Sequence, residues 1–556
     1  MTTPTVISYV LGRLKDVGID DIFGVTGDFA FPVTDAIVTH PEINWIGCCN
    51  ELNAAYAADG YARIRGVGAV CTTYGVGELS ALCGVAGSYA EQLPVFHLTS
   101  MPNRTTQTDR AVVHHTLGNG ESGLFRAMAD HVVAASAVIT PANAAAETER
   151  LIAAALYHRR PVYLAFPADV VDQPILARAD AVGLPRSLDR SLSAAADAVH
   201  RLLDSATSAC VLPGVILRRT GLADSARRFI EVADLPFATM FADKSVLDET
   251  HPNYVGMYDG RLMDEAVREF VESCDVVVNL GAVLSDLSTG AFTAQLDPSR
   301  TIDISLHHTR AGGIRYDDVE MGDILRDLAG RKFRVRSRPR LDPESLGPVT
   351  GSGSDPITAA ALYPRWAEFL REDDIVFAES GTCSMGLAFA PLPCGARFDN
   401  QTLWAAVGWA TPASFGAAVA APERRLVLIT GDGAHQFTAQ EISQFARRGL
   451  RPVIFVLNNS GYLSERMLSR DPGTPYNDVA AWNYAELPRA LGAADWYTVR
   501  VATCGELDDA LTEAAGNDRA CYIEVLTGPY EAPPLSVRLS ASAKSLYNQT
   551  SLYNRT

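Results

Sequence analysis

Short apolar runs alternate along the chain with longer stretches in which apolar residues recur every three or four positions. The short runs are rich in Val, Ile and Phe and predict buried strands, whereas the longer period predicts amphipathic helices. At the N-terminus, for example, apolar residues from Val6 to Val17 recur at helical spacing, with Lys15 and Asp16 on the other side. Alternation of strands and helices is typical of α/β folds built on parallel sheets. We therefore expect parallel sheets flanked by helices.

The predicted strands fall into three groups along the chain. The first group comprises DIFGV, NWIGCC, GAVCTTY, LPVFHLTS and RPVYLAFP, the second SACVLPG and CDVVVNLGAVL, and the third DIVFAES, RLVLIT and PVIFVL. Polar, proline-containing segments at 172–191 and 334–356 separate the groups and are typical of linkers. We expect three domains, each with its own sheet, at residues 1–175, 190–335 and 355–540, followed by a tail at 541–556.

Composition and charge narrow the classes of function. The formal net charge of −18 argues against binding to nucleic acid or to an anionic membrane, because both need a basic surface. The ten cysteines form no C-x-x-C pair and lie in apolar surroundings, as reduced thiols do. We find neither a signal peptide nor an apolar run long enough to span a bilayer. We therefore expect a cytoplasmic protein. The tail repeats SLYNQT as SLYNRT, and we assign no function to this repeat.

Residues 425–461 carry the strongest local pattern in the chain. The strand RLVLIT leads into GDG, and the strand PVIFVL leads into NNSG. Between them, Thr438 and Glu441 form a T-x-x-E pattern that predicts a capping box, and Gly449 predicts the end of the helix. Parallel strands end at one edge of a sheet, where α/β proteins bind ligands, so the two turns are expected to face one site.

The chemistry of these turns favours a hard cation. Asp432 and Asn459 offer a carboxylate and an amide oxygen, and the turns offer backbone carbonyls, which suit Mg²⁺ or Ca²⁺ rather than Zn²⁺. So few protein ligands leave coordination positions for phosphate oxygens and water. Either turn taken alone is more simply interpreted as an ordinary turn.

The spacing of GDG and NN, with 24 residues between them, resembles the thiamine diphosphate-binding motif. ELNAAYAADGYAR, TTYGVGELSALCGVAGSYAE and HHTLGNG are in turn similar to segments of the thiamine diphosphate-dependent 2-oxo acid decarboxylases, which act on pyruvate, indolepyruvate, phenylpyruvate or branched-chain acids. The resemblance runs over nearly the whole chain. It implies a pyrimidine-binding domain, a Rossmann-like middle domain and a diphosphate-binding domain, in that order.

The resemblance implies roles for residues of the last domain. Asp432, the Asn459 side chain and the carbonyl of Gly461 would bind the Mg²⁺ that holds the diphosphate, and Val407 would be the apolar wedge that bends the cofactor. The carbonyl of Ala405, where most relatives have glycine, would receive the amino group of the pyrimidine. Ala434 replaces a common serine, so we expect no side-chain bond to phosphate from it. Further candidate cofactor contacts are Thr73, Ser380, Thr382, Gly431 and Gly433.

Glu51 opens a predicted helix after Asn50. By position alone, an acid in a first helical turn that favours the helix dipole is the simpler interpretation. The resemblance implies instead that Glu51 protonates the pyrimidine ring and so promotes formation of the thiazolium ylid. This role needs a carboxyl shielded from water beside a ring nitrogen.

His114 and His115 stand next to each other, at what we interpret as a strand-to-loop exit where both side chains can approach one cavity. Surface histidines are the simpler interpretation without context. The resemblance implies that the pair, with Asp28 of VTGDF and Glu465 of NNSGYLSER, transfers protons during decarboxylation and product release. GNGESG, at residues 118–123, fits a dinucleotide fingerprint but follows no strand, so we interpret it as a turn.

Other functions stay open at this point. A carboligase similar to acetohydroxyacid synthase would lack the histidine pair and the VTGDF aspartate as a set. A flavin- or nucleotide-binding oxidoreductase and a non-catalytic homologue are the alternatives from other classes. Ser384, Ser464 and Ala543 stand where relatives often carry bulkier residues, so we expect a bulky or aromatic 2-oxo acid, with pyruvate as the alternative. The resemblance further implies a homodimer or homotetramer with active sites at the subunit interface.

Overall fold

The computed structural model describes residues 3–334, 336 and 339–546, except for the side chains of 543–546. Residues 547–556, which hold most of the repeated tail, and the side chain of Ala543 lie outside this description. Three sheets flanked by helices organise the described chain, which confirms the predicted α/β class.

The first sheet is entirely parallel and has the strand order β2-β1-β3-β4-β6-β5. Its strands are β1 (Asp21–Gly24), β2 (Asn44–Gly47), β3 (Gly68–Thr72), β4 (Val95–Met101), β5 (Ala135–Val138) and β6 (Val162–Pro167). Its helices are α1 (Val6–Asp16), α2 (Phe31–Thr39), α3 (Glu51–Arg65), α4 (Val76–Ala90), α5 (Arg104–Thr108), α6 (Leu124–Ala129) and α7 (Ala144–His158).

The second sheet is parallel except at one edge, where β12 and β13 form an antiparallel hairpin on β11. Its order is β13-β12-β11-β10-β7-β8-β9. The strands are β7 (Ala209–Pro213), β8 (Phe237–Thr239), β9 (Tyr254–Met257), β10 (Val276–Leu280), β11 (Thr301–Ile304), β12 (His308–Ala311) and β13 (Ile314–Asp317). The helices are α8 (Asp189–Ser205), α9 (Val215–Arg219), α10 (Ala223–Ala233), α11 (Glu265–Ser273) and α12 (Met321–Ala329).

The third sheet is again entirely parallel, in the order β15-β14-β16-β17-β19-β18. Counted from its own first strand, this is the same order as in the first sheet. The strands are β14 (Ile375–Ala378), β15 (Arg397–Asp399), β16 (Leu426–Gly431), β17 (Val453–Asn458), β18 (Tyr497–Val501) and β19 (Cys521–Leu526). The helices are α13 (Ala359–Phe369), α14 (Thr382–Gly386), α15 (Ala410–Ala420), α16 (Asp432–Thr438), α17 (Ile442–Arg447), α18 (Leu463–Leu468), α19 (Leu487–Ala490), α20 (Cys504–Gly516) and α21 (Pro534–Leu546).

The chain separates into two compact units that do not follow the order of the sheets. The first unit comprises Met1–Pro185, Thr411–Glu423 and Thr438–Leu450, and the second comprises the remainder. Most of α15 and all of α17 therefore belong to the unit of the first sheet. The domain boundaries given above stay predictions.

Two glycines bring α3 and α15 into close contact within the first unit. A Cβ added at Gly60 would lie 1.8 Å from the carbonyl oxygen of Ala413, and one at Gly416 would lie 1.8 Å from that of Ala57. The contact is reciprocal, because each helix supplies one glycine and one carbonyl. Only glycine allows the two backbones to approach so closely.

The capping box predicted for Thr438 and Glu441 is wrong. Thr438 ends α16 and makes no side-chain cap hydrogen bond, and a 3₁₀ turn at Ala439–Glu441 precedes α17. The carboxylate of Glu441 instead accepts hydrogen bonds from the start of α3. The Glu441 carboxylate, which the local pattern assigned to the helix cap, therefore bonds Cys49 and Asn53 from a distant part of the chain. The predicted stop at Gly449 is confirmed, since this residue has a φ of +64°.

Candidate active site

In the third sheet the predicted metal turns lie at the carboxyl ends of neighbouring strands. Asp432 directly follows β16 and Asn459 directly follows β17, which is β16's neighbour. The strand order reverses between β14 and β16, and such a reversal is where open α/β sheets bind their ligands. The prediction that both turns share one sheet edge is confirmed.

Asp432 is buried in an environment prepared for negative charge. Its carboxylate accepts hydrogen bonds from the backbone N–H of Gly433 (2.8 Å) and of Gly461 (3.0 Å), and its side chain is hidden from water. Desolvation outweighs these bonds and raises the pKa of Asp432 to about 6. A cation beside this carboxylate would remove the unfavourable part of its burial.

Asn459 provides a direct test of the metal prediction. Its side-chain oxygen is buried and has no hydrogen-bond partner among the described residues. A buried polar oxygen without a partner is unfavourable by about 1–3 kcal/mol, so such an atom points to a missing ligand. Together with Asp432 it forms the hard oxygen donor set that suits Mg²⁺.

Arg466 holds the second turn in place and was missed by the sequence analysis. Its guanidinium donates to the carbonyl oxygens of Asn459 (3.0 Å) and Ser460 (2.6 Å) and to the Asp478 carboxylate (3.0 Å). Gly461 follows with a φ of +152°, and an added Cβ there would meet the Arg466 guanidinium. The turn is therefore fixed from its carbonyl side.

The loop between β15 and α15 carries Ala405 and Val407. Ala405 has a φ of +51°, in the left-handed region where glycine is favoured, and Val407 exposes 43% of its surface although it is apolar. The Gln401 side-chain oxygen accepts from the N–H of Ala406 (3.0 Å), and the Gln401 carbonyl accepts from Ala405 (3.0 Å). The loop thus presents an apolar side chain outward from an anchored backbone.

Glu379 anchors the end of this loop and was also missed. It follows β14, is fully buried, and accepts a hydrogen bond from the N–H of Ala410, the first residue of α15 (3.2 Å). Its other carboxylate oxygen has no hydrogen-bond partner among the described residues. Burial raises the pKa of Glu379 to about 7, although three backbone N–H groups partly offset the effect.

The other predicted cofactor contacts of the second unit lie near these strand ends. The hydroxyl of Ser380 donates to the Gln401 carbonyl (2.9 Å), and Thr382 is buried at the start of α14. Gly431 ends β16, Gly433 packs closely against the Tyr462 ring, and Ala434 is buried in α16.

Glu465 lies on α18 together with Ser464. Incomplete hydration raises the pKa of the Glu465 carboxyl. The Ser464 hydroxyl would lie 2.9 Å from a Cβ added at Gly381, and the buried Ser384 donates to the Gly381 carbonyl (3.1 Å). Two small hydroxyl side chains therefore approach one glycine.

In the first unit, Glu51 is the first residue of α3. Asn50 caps the helix by accepting from the N–H of Asn53 (2.8 Å), and Glu441 accepts from the Asn53 amide (2.7 Å) and the Cys49 N–H (3.2 Å). Burial raises the pKa of Glu441. The start of α3 is thus held on both sides of Glu51.

Two glycines pack against the residues around Glu51 and the VTGDF segment: Gly77 faces Glu51 and Thr73, and Gly27 of VTGDF faces Thr73. A Cβ added at Gly77 would lie 3.2 Å from the Glu51 carboxylate and 2.9 Å from the Thr73 methyl group, and one at Gly27 would lie 2.7 Å from Thr73. The Thr73 hydroxyl is buried and has no hydrogen-bond partner among the described residues, so a polar atom is available at this point. Asp28 follows Gly27 directly.

Asp28, His114 and His115 form one cluster. The His114 ring nitrogen Nε2 lies 2.6 Å from one Asp28 carboxylate oxygen, and the His115 Nε2 lies 3.8 Å from the other. Partial desolvation would raise the pKa of Asp28, but the hydrogen bond with His114 and the N–H of Phe29 outweigh it and hold this pKa below its usual value. The structure thus brings two adjacent histidines together with an aspartate 86 residues away from His114.

The backbone explains why both histidines face the same aspartate. The predicted strand-to-loop exit is wrong, because α5 lies between β4 and the histidines. His115 instead has a φ of +63°, which turns its side chain away from the alternation of an extended chain. The predicted turn at 118–123 is confirmed, with positive φ at Gly118 and Gly120.

Glu78 stabilises the segment that packs against the histidine loop, and it was not identified from the sequence. It is buried and accepts from the Tyr163 hydroxyl (2.6 Å) and the Gly75 N–H (2.8 Å), and burial raises its pKa to about 7. Gly75 in turn packs against the His115 carbonyl, where an added Cβ would lie only 2.1 Å away. Glu379 acquires its role from Ala410, which is distant in sequence, whereas Glu78 bonds both the distant Tyr163 and Gly75, three residues before it at the start of the same helix.

Three domain types found in one class of enzyme match successive parts of the chain. The N-terminal TPP binding domain of thiamine pyrophosphate enzymes matches residues 4–126, the central domain residues 196–327, and the C-terminal TPP binding domain residues 379–525. The residues around Asp28 and Glu51 fall within the first of these domains, and those around Glu379 and Asp432 fall within the last. Fold and site therefore define a thiamine pyrophosphate enzyme.

Curated relatives narrow this class. An alpha-keto-acid decarboxylase of Mycolicibacterium paratuberculosis is 40% identical over 548 residues, covering 96% of each chain, and one of Mycobacterium avium gives the same values. One of Mycobacterium tuberculosis is 39% identical over 553 residues and 97% of each chain. The chain belongs to the thiamine diphosphate-dependent 2-oxo acid decarboxylase family.

Solved structures agree on the fold. A Mycobacterium smegmatis enzyme assigned as thiamin diphosphate-dependent superposes with a TM-score of 0.75, covering 94% of this chain and 99% of its own, at 20% identity. At this identity the likeness concerns the fold alone. No helix within residues 3–334, 336 and 339–546 combines the length and apolar character needed to cross a bilayer.

Proposed function

We propose that the chain catalyses the non-oxidative decarboxylation of bulky or aromatic 2-oxo acids, such as phenylpyruvate or indolepyruvate, to an aldehyde and CO₂. The observation that carries this proposal is the cluster of Asp28 with His114 and His115, because carboligases of the superfamily lack these residues as a set. The names of the curated relatives support the same reaction type.

Thiamine diphosphate and Mg²⁺ are the proposed cofactors. Asp432, Asn459 and the carbonyl of Gly461 would hold the metal, since a buried carboxylate and an unpartnered amide oxygen offer it hard donors. Val407 supports the role of wedge by projecting from an anchored loop, and the Ala405 carbonyl would take the pyrimidine amino group. Ser380, Thr382 and the turn from Gly431 to Ala434 would line the diphosphate.

When bound, thiamine diphosphate supplies the electron sink that accepts the electrons of the departing carboxylate. Glu51 would hold a proton at the pyrimidine ring nitrogen, and the Thr73 hydroxyl offers a polar contact nearby. Asp28, His114 and His115 would move protons to and from the reacting carbon and the product oxygen. Glu465 on α18 of the second unit, whose pKa is raised, would be a further acid.

The side chains around Gly381 support a large substrate. Ser384 and Ser464 both approach this glycine, and neither fills the space that a leucine or phenylalanine would occupy. A pocket bounded by small residues accommodates a ring at low steric cost, whereas a pyruvate methyl group would leave it unfilled.

The test is a kinetic panel of 2-oxo acids with aldehyde and CO₂ as readouts, with and without thiamine diphosphate and Mg²⁺. We expect kcat/KM to be highest for phenylpyruvate or indolepyruvate. Ser464→Leu should lower this value for the aromatic acids and leave pyruvate little affected, with a change at the exposed Ser193, Ser193→Leu, as a control of equal residue type. Highest kcat/KM for pyruvate would overturn the substrate assignment, and acetolactate without free aldehyde would favour a carboligase.

A homodimer is the proposed minimal assembly. Each unit exposes large apolar side chains near its own site residues: Phe31, Val76 and Val112 in the first, and Leu403, Trp404 and Phe437 in the second. Exposed apolar side chains in such number are typical of surfaces that are covered in an assembly.

A further inference from the structure

We propose that Asp28, His114 and His115 form a binding site for a divalent transition-metal ion, with Zn²⁺ as the reference ion. Occupancy of this site would remove all three side chains from proton transfer and so inhibit the enzyme reversibly. Binding of the ion is independent of the proposed function, and only the inhibition rests on it.

The spacing of the ligand atoms suits a tetrahedral ion. One nitrogen of each histidine and one carboxylate oxygen all lie within 4.8 Å of one another. In a tetrahedral zinc site with bonds of about 2.0–2.2 Å, neighbouring ligand atoms stand about 3.3–3.6 Å apart. The observed separations of 2.6 and 3.8 Å from the two Asp28 oxygens bracket this value.

The donor types separate this site from the proposed magnesium site. Two imidazoles and one carboxylate favour Zn²⁺ and its neighbours in the first transition row, whereas Mg²⁺ requires oxygen donors. Three protein ligands leave a fourth position open, as in catalytic zinc sites, and water or a substrate carboxylate can fill it. The two sites should therefore bind different ions.

The ligands are held in position before any ion binds. His115 is fixed in the left-handed conformation, with its carbonyl packed against Gly75. The His114 ring stacks on Phe29 with their centroids 4.7 Å apart and a plane angle of 21°. Asp28 begins a short 3₁₀ turn directly after Gly27. A preformed cluster loses less conformational entropy on binding than three mobile side chains do.

The cluster also stands out from other histidine–carboxylate pairs in the chain. His307 lies 2.7 Å from Glu320, and His251 lies 3.4 Å from Glu231, but each pair offers an ion two ligands. Within the described ranges, the set around Asp28 is the one group of three such side chains with metal-ligand spacing. These pairs provide matched controls.

The decisive experiment titrates the full-length chain, free of thiamine diphosphate and Mg²⁺, with ZnCl₂ in a calorimeter. We expect one saturable equivalent that His114→Ala and His115→Ala each weaken by at least about tenfold, since even loss of an outer-shell partner has an effect of this size. His307→Ala and Asp432→Asn should leave the equivalent unchanged. Co²⁺ bound in place of Zn²⁺ should give the visible absorption of a tetrahedral ion in the parent chain but not in the histidine variants.

Several outcomes would overturn the site. These are the absence of a saturable equivalent, its persistence in both histidine variants, and its loss in Asp432→Asn. Loss in Cys49→Ser would place the ion on the exposed thiol of that residue instead. Circular dichroism of each variant checks that the fold is intact. Inhibition of turnover that EDTA reverses tests the functional clause, and a chain without decarboxylase activity would fail there while the calorimetric result still stands.

Discussion

At the scale of single residues, the site depends on carboxylates whose burial is unfavourable in the protein alone. The backbone N–H groups that bond Asp432 do not fully replace the water lost on its burial. The hydrogen bonds made by Glu379 and Glu78 likewise do not fully offset their desolvation. Raised pKa values of this kind cluster where a protein prepares charge for a ligand or a reaction. The clearest consequence concerns Asp432, because its proton and the proposed Mg²⁺ compete for the same oxygens.

We predict that cofactor affinity falls in acid because of this competition. The pKa of Asp432 is raised to about 6, so the carboxyl is ionised and ready for the metal above this pH and becomes protonated as the pH falls through it. The dissociation constant of Mg²⁺–thiamine diphosphate should be constant near pH 7.5 and rise by up to about tenfold per pH unit below 6. Calorimetry between pH 5 and 8 measures it.

Asp432→Asn is the control for this pH dependence. It should bind the cofactor weakly at every pH and show no slope around pH 6, because the titrating group is gone. A slope that persists unchanged in Asp432→Asn would contradict the assignment.

The residues of the site differ in how far the sequence predicts them. Asp432 and Asn459 follow strands with clear apolar patterns, so their placement at one sheet edge follows from local sequence. Glu379 also follows a strand, yet nothing in its neighbourhood indicates that its carboxylate reaches Ala410. The contact depends on the path of the loop that follows β15 and leads to Ala410, and the local sequence around Glu379 does not determine that path.

At the scale of elements, the loop from Gln401 to Ala410 owes its shape to buried polar anchors. Gln401 holds the residues around Ala405, and Glu379 holds the first N–H of α15. The first turn of a helix leaves N–H groups without helical partners, so an acceptor from another strand takes the place of a cap. Loss of this acceptor should loosen the loop while leaving the sheet intact.

We predict that Glu379→Ala weakens thiamine diphosphate binding about 5- to 100-fold, the equivalent of a buried donor losing its acceptor. Glu379→Gln should retain most of the affinity, because an amide oxygen can still accept from Ala410. Trp404 exposes 39% of its surface on this loop and gives a readout without cofactor. Acrylamide should quench the fluorescence of Trp404 more strongly in Glu379→Ala than in the parent chain.

Two controls accompany this measurement. Trp404→Phe identifies the part of the signal that belongs to the loop, and the exposed Glu372→Ala tests for a general effect of losing a carboxylate. Equal quenching and equal affinity in Glu379→Ala and the parent chain would show that the anchor has no such role.

Most of the strands that were predicted have strong apolar runs, although the apolar β19 was missed together with several weaker strands. Buried runs such as RLVLIT and PVIFVL became β16 and β17. The strand ASAV at Ala135–Val138 consists mainly of small residues, and the antiparallel hairpin of β12 and β13 is short and partly exposed, so neither gives a clear periodic signal. The capping box failed for another reason, because tertiary contacts of Glu441 override a local pattern.

At the scale of the whole molecule, the sequence predicted three sheets but not the assignment of helices to compact units. The segments Thr411–Glu423 and Thr438–Leu450 belong to the unit of the first sheet although they lie between strands of the third. Only contacts distant in sequence, such as Gly60 with Ala413, decide this. Whether the proposed active sites form between subunits is also a property of the whole molecule.

We predict that two inactive variants restore activity when mixed. Glu51→Gln removes a function of the first unit, and Asp432→Ala removes one of the second. If active sites form between subunits, a hybrid dimer has one site with both changes and one with neither, so co-refolded or co-expressed mixtures should recover up to about a quarter of the parent activity. Specific activity and sedimentation measure this together.

The control is a mixture of either variant with itself, which should stay inactive. Hybrid dimers that form without any recovered activity would show that each site is built from a single chain. A monomer at micromolar concentration with full activity would contradict the proposed dimer itself.

The interlocked glycines of α3 and α15 have a consequence for synthesis. Gly60 and Gly416 each pack against a carbonyl of the other helix. The face of α3 that contacts α15 therefore stays uncovered until α15 has been translated. The amino-terminal sheet therefore emerges from the ribosome long before the helices that complete it. Nascent chains halted before Thr411 should expose a seam that chaperones or proteases can reach.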